Sequence, residues 1–99
     1  MRTVRLGEDE IAEFLTNLPD WTRAEQAISR TYSFESFAAA MEFVNQVAEE
    51  AERRDHHPDM DIRYNKVTVA LTTHYLKGLT AKDMTLAGVC DQFADEAKL

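Results

Sequence analysis

Two stretches of this chain alternate apolar and polar residues, and a third carries the period of a helix. From 28 to 34, Ile28, Arg30, Tyr32 and Phe34 share one side and Ser29, Thr31 and Ser33 the other. Successive strand side chains point to opposite faces, so this pattern predicts a half-buried strand. From 67 to 73 the pattern returns, with Val67, Val69, Leu71 and Thr73 on one side and Thr68, Ala70 and Thr72 on the other. Between them, from 35 to about 54, the spacing lengthens to 3.6 residues. Phe37, Met41, Val44, Ala48 and Ala51 form the stripe, widened by Ala38, Ala40, Phe43 and Val47. A chain that changes period in this way must bury a sheet face against a helix stripe in one core.

The remaining elements follow from the same signals. Ile11, Phe14, Leu15 and Leu18 predict a helix over 8–17, with Glu8, Asp9 and Glu10 at its electropositive start and Pro19 closing it. Residues 21–23 read as a short strand, 24–26 as a turn, 60–64 as a strand and 65–66 as a tight turn. A last helix over 81–97 carries Leu86, Ala87, Cys90, Phe93, Ala94 and Ala97 as its stripe. Three Gly and two Pro in 99 residues leave few breaks, and no linker or repeat is visible. The expectation is a single α+β domain over 1–99, in the order α-β-β-α-β-β-α. It has a four-stranded antiparallel sheet with three helices packed on one face.

Charge narrows the function. Eleven basic against eighteen acidic residues leave a net charge of −7. Direct nucleic-acid binding needs a basic footprint, and so does docking on anionic lipid. The first ten residues reach acidic side chains before any apolar run develops, so no secretory signal is expected. No stretch approaches the roughly 20 apolar residues that span a bilayer. One cysteine, Cys90, precludes an internal disulfide and lies on an apolar helix stripe, where a thiol is inert. A reducing setting, the cytoplasm by default, fits this usage.

The residues able to carry chemistry lie in the second half. His56 and His57 are adjacent in a polar loop, and His74 ends a strand pattern. Imidazole titrates near neutral pH, which suits it to proton transfer. Adjacent histidines seldom point at one ion, and neither HExxH nor HxH occurs, so no metal site is expected. Glu52 sits one helical turn before His56, where it could orient that ring. Asp83 has an alternative, purely structural reading. Thr80-Ala81-Lys82-Asp83 resembles a capping box with the acid in the third helical position. Trp21 and the phenylalanines read as core. No GxSxG, P-loop or GxGxxG motif is present.

Taken together, Glu52-x-x-x-His56-His57-Pro58, Tyr64-Asn65-Lys66-Val67, Thr73-His74, Gly78-Leu79-Thr80 and Asp83 resemble the signature of the pterin-4a-carbinolamine dehydratases. Arg30-x-Tyr32-x-Phe34-x-x-Phe37 followed by Ala40-x-x-Phe43 is similar to that family's second strand entering its long helix. The resemblance spans nearly the whole chain. It implies the α+β fold just described and a homodimer or homotetramer. It also implies a lyase that dehydrates 4a-hydroxytetrahydropterin to quinonoid dihydropterin in pterin recycling, with no metal or redox cofactor. The implied catalytic residues are His56, His57, His74 and Asp83, with substrate contacts from Glu52, His56, Pro58 and Thr73.

Within that frame His57 and His74 are expected to exchange protons. His56, supported by Glu52, would position the pterin, and Asp83 would fix the tautomer of His74 or stabilise its charged form. Asp59-Met60-Asp61-Ile62 and Tyr75-Leu76-Lys77 depart from the family pattern beside the site, which bears on substrate shape. Some members of the family act instead as protein-interaction modules, either transcriptional co-regulators or assembly factors. An exposed sheet edge would suit a protein partner.

Overall fold

The computed structural model describes residues 3–97; residues 1, 2, 98 and 99 of the expected domain lie outside that range. Its elements are α1 (Glu8–Leu15), β1 (Thr22–Ala24), β2 (Ala27–Ser33), α2 (Phe37–Arg54), β3 (Asp59–Arg63), β4 (Lys66–Leu71), a 3-10 turn (His74–Leu76) and α3 (Ala81–Ala97). The expected order and class are both found. All strand pairings are antiparallel, in the spatial order β1-β2-β4-β3.

The register explains which face is dry. Ile28 lies opposite Leu71, Arg30 opposite Val69 and Tyr32 opposite Val67. Ile28, Val67 and Val69 are fully buried. The other face pairs Thr31 with Thr68, joined through their hydroxyls at 2.8 Å, and Asp61 with Thr68. One face is therefore packed under the helices and the other is polar, as alternation requires.

Two boundaries and one buried face differ from the expectation, each for a physical reason. Helix α1 stops at Leu15 because Thr16 and Asn17 bond the carbonyls of Glu13 and Phe14, tightening its end into a 3-10 turn. The β3–β4 turn is Tyr64-Asn65 rather than 65–66, with Tyr64 left-handed at φ 54°. Asn65 is committed elsewhere: its side-chain amide donates to the Phe34 carbonyl at 2.7 Å and its own carbonyl accepts from Phe34 N–H at 2.9 Å. The buried face of α2 is Ala40, Phe43, Val44, Val47 and Ala51, while Phe37 is half exposed. Val44 and Ala51 of the expected stripe are in the core, as are Ala40, Phe43 and Val47 from its widening; the helix is rotated so that Phe37 leaves the core.

Because β2 and β3 are both antiparallel to β4, they run parallel, and α2 is the crossover between them. Asp59 at the start of β3 pairs with Ala70 near the end of β4. The loop entering β3 and the segment leaving β4 consequently lie at the same end of the sheet. Candidate residues separated by 27 positions in sequence, His56 and Asp83, are brought together there.

Candidate active site

Helix α2 ends in a way that fixes where His56 stands. Asp55 adopts the left-handed conformation (φ 50°, ψ 44°). Its N–H donates to Glu52 O at 3.2 Å, and His56 N–H donates to Ala51 O at 3.0 Å. These two bonds are the Schellman closure of a helix C-terminus. They pin the His56 backbone to the last turn of α2. Arg53 and Arg54 in that turn suit its negative end, as expected.

His56 is buried, 9% exposed, and its Nε2 lies 2.6 Å from Asp83 Oδ1. Asp83 is fully buried. Its second oxygen accepts from Thr73 Oγ1 at 2.8 Å and from Thr80 N–H at 2.9 Å. Thr73 and Thr80 also join hydroxyl to hydroxyl at 2.8 Å, and Thr80 Oγ1 accepts from Lys82 N–H at 3.2 Å. The capping reading and the site reading of Asp83 are therefore both realised. One oxygen serves the start of α3, and the other holds the histidine.

The structure pairs the site residues differently from the sequence expectation. Asp83 holds His56 rather than His74. Glu52 holds His57 Nε2 rather than supporting His56. This second pair is exposed, with side-chain exposures of 54% for His57 and 78% for Glu52. Thr73, expected at the substrate, is 1% exposed and its hydroxyl is turned inward to Asp83 and Thr80. Pro58 is half-buried. His74 is exposed in the 3-10 turn and, among the described residues, has no side-chain hydrogen bond. It borders a concavity of about 460 Å³ with Gln26, Thr72 and Lys77. His56 borders another, of about 310 Å³, with Arg54, Ala81, Lys82 and Thr85. Among the described residues no cluster of three or more potential ligands is placed to hold a metal ion.

One polar centre was not foreseen. Asp91 Oδ1 accepts from Arg30 Nη1 at 2.7 Å, Tyr32 OH at 2.5 Å and Trp21 Nε1 at 3.0 Å. The signal was Arg30 on the apolar side of β2: a charge placed there requires a buried opposite charge. Burial opposes the Arg30 charge, but the Asp91 bond and charge prevail and its pKa is raised. Burial, reinforced by Asp91, also raises the Tyr32 phenol. Cys90 is buried, and burial followed by the Asp91 charge pushes its thiol up to about 12. That matches the inert thiol expected from its helix stripe.

With this geometry in hand, the chain can be set beside known proteins. Residues 4–93 match the family model for Pterin 4 alpha carbinolamine dehydratase. The chain belongs to the pterin-4a-carbinolamine dehydratase family. It is 51% identical over 94 residues to a Nocardia farcinica protein, covering 95% of this chain and 99% of that one. It is 50% identical over 88 residues to one from Picosynechococcus sp., covering 89% and 96%. Both relatives carry pterin-4-alpha-carbinolamine dehydratase as a provisional name.

Among solved structures, the Brucella Melitensis protein described as a transcriptional coactivator/pterin dehydratase superposes with a TM-score of 0.89 at 38% identity. It covers 92% of this chain and 99% of its own. A pterin dehydratase-like protein described as a RuBisCO assembly factor in the alpha-carboxysome gives a TM-score of 0.63 at 19% identity, covering 75% and 86%. At that identity the likeness is one of fold. The carbinolamine dehydratase family match covers both histidine–carboxylate pairs, at 52–57 and 56–83, and both threonines beside Asp83.

Proposed function

We propose that this protein is a lyase that dehydrates 4a-hydroxytetrahydropterin to quinonoid dihydropterin, in recycling of a pterin cofactor. The observation that carries the reading is the back-to-back arrangement of two imidazole–carboxylate pairs. His56–Asp83 is buried and His57–Glu52 is exposed, on adjacent residues of one loop. Family membership supplies the substrate class.

The chemistry suits these groups. The N5 lone pair forms the C4a=N5 bond as the C4a–O bond breaks, and hydroxide is a poor leaving group. A general acid protonates the departing oxygen, which leaves as water. A base then takes one proton from the cationic imine. Both transfers run near neutral pH, where imidazole is matched to the task. His57, open to solvent and oriented by Glu52, is the group we assign to proton exchange, with His74 as the second. His56, locked by Asp83, positions the pterin beside the Arg54–Lys82 concavity. Pro58 follows the histidines and leads the loop into β3.

The test is the absorbance change of freshly generated 4a-hydroxytetrahydropterin with wild type and His57→Ala in parallel. Acceleration by wild type and a loss of about 100-fold or more in the variant is expected, the usual contribution of a general acid or base. No acceleration over the spontaneous rate, from folded protein, would overturn the reading. The Brucella relative, described as both coactivator and dehydratase, favours a second reading, in which this chain is an interaction module for a protein partner. That reading predicts no acceleration and indifference to His57→Ala.

A further inference from the structure

We propose that Thr80 and Thr73 are positioning residues: a proton-ordered chain of their hydroxyls acts through Asp83 to hold His56 as the Nε2–H tautomer, leaving Nδ1 as its basic nitrogen. The proposal deepens the dehydratase reading and rests on it for the consequence in turnover; the tautomer itself can be tested without it.

Counting hydrogens gives the order. Each hydroxyl has one proton to donate. Thr73 gives its proton to Asp83 Oδ2, so the Thr73–Thr80 contact at 2.8 Å exists only if Thr80 is the donor there. Thr80 can spare its proton because its oxygen receives Lys82 N–H. The direction of the chain is thus set by the backbone at the start of α3. It runs from Lys82 N–H to Thr80, to Thr73, to Asp83.

The carboxylate end is equally constrained. Asp83 Oδ2 takes the Thr73 hydroxyl and the Thr80 amide, two donors, so that oxygen has no room for a proton. Oδ1 meets only His56 Nε2. A carboxylate ordinarily holds a proton far more weakly than imidazole does. The proton between them therefore resides on His56, and Nε2 is the donor. Thr73, Thr80 and Asp83 are all at most 1% exposed, so water does not compete for any of these bonds. Among the described residues no buried side-chain polar atom lacks a partner. In other catalytic imidazoles a carboxylate that selects the tautomer contributes greatly to turnover.

A merely structural role for Thr80, capping α3, is separable from this one. Thr73→Val removes the middle hydroxyl at nearly constant volume and leaves the Thr80–Lys82 cap in place. The decisive measurement is the 15N spectrum of the His56 ring at about pH 8.5, above ordinary imidazole titration. Wild type is expected to show protonated Nε2 and bare Nδ1. In Thr73→Val the signals should move toward a mixture of tautomers, and kcat should fall about tenfold or more with KM little changed. Thr73→Ser, which returns the hydroxyl, should restore the wild-type spectrum and turnover; Thr80→Ser should keep both, and Thr80→Val should not.

A wild-type spectrum showing Nδ1–H overturns the proposal with no variant needed. A folded Thr73→Val with an unchanged spectrum overturns it as well. If wild type proves inactive, the dehydratase reading fails while the ring spectrum still decides the tautomer.

Discussion

Asp83→Asn keeps the shape of the carboxylate and removes an acceptor from a place where every neighbour donates. The amide NH2 must then face Thr73, Thr80 or the His56 ring, all buried. A buried donor left facing a donor costs the desolvation of that group, and breaking a buried charge pair costs more. Asp83→Asn is expected to lower stability by about 3 kcal/mol, read as a lower urea midpoint at unchanged slope. Glu52→Gln is the contrasting case. Its partner His57 is half exposed, and surface pairs contribute little. The urea midpoint should hardly move, while turnover falls.

Helix α2 carries two caps with different consequences. At its start, Ser36 accepts Ala39 N–H at 3.0 Å. Ser36→Ala should cost about 1 kcal/mol and leave turnover unchanged, because the 18-residue helix separates it from the site. At its end, Asp55 supplies the left-handed residue that turns the chain into His56. A β-branched side chain there is strained. Asp55→Val is expected to cost about 2 kcal/mol and to reduce turnover by displacing His56. Asp55→Gly should keep both, since glycine adopts this conformation freely. Thermal midpoints beside initial rates for the three variants check the set. Equal rates in Asp55→Val and wild type would disconnect the helix end from the site.

Across the molecule, Asp91 ties β2, the segment before β1 and α3 at one point, and two titratable groups lie beside it. Cys90 and Tyr32 both have their folded pKa raised, chiefly by burial. Each stays protonated when folded after it has ionised when unfolded. Their contribution is complete below the unfolded values and is lost as pH rises. The loss begins near 9.0 with Cys90, whose folded value is about 12, and Tyr32 adds to it above 10.0. Stability should fall by about 1.4 kcal/mol per pH unit for each proton. Chemical denaturation from pH 8 to about 11 checks this, and Cys90→Ala should delay the decline to the Tyr32 range. Asp91→Ala leaves Arg30, Tyr32 and Trp21 without their shared acceptor and is expected to cost about 3–4 kcal/mol.

Element order and strand alternation were legible in the sequence because each is a local property. A strand shows its buried face every second residue and a helix every third or fourth, and neither depends on distant neighbours. The short β3–β4 connection likewise implies antiparallel pairing. Pairing within the site was not legible. Along an ideal helix Glu52 stacks beneath His56, but the left-handed turn at Asp55 ends that geometry and gives Glu52 to His57. Asp83 meets His56 because β4 inserts between β2 and β3 and brings both loops to one end of the sheet. Thr73 faces inward, as its alternation with Val67, Val69 and Leu71 implies, but its hydroxyl's partners Thr80 and Asp83 lie across the 3-10 turn that the Thr73–Gly78 bridge closes. Asp91 shares its carboxylate among three residues drawn from two other segments. The direction of a side chain at a chain reversal is set by what packs around it, and only the tertiary structure decides that.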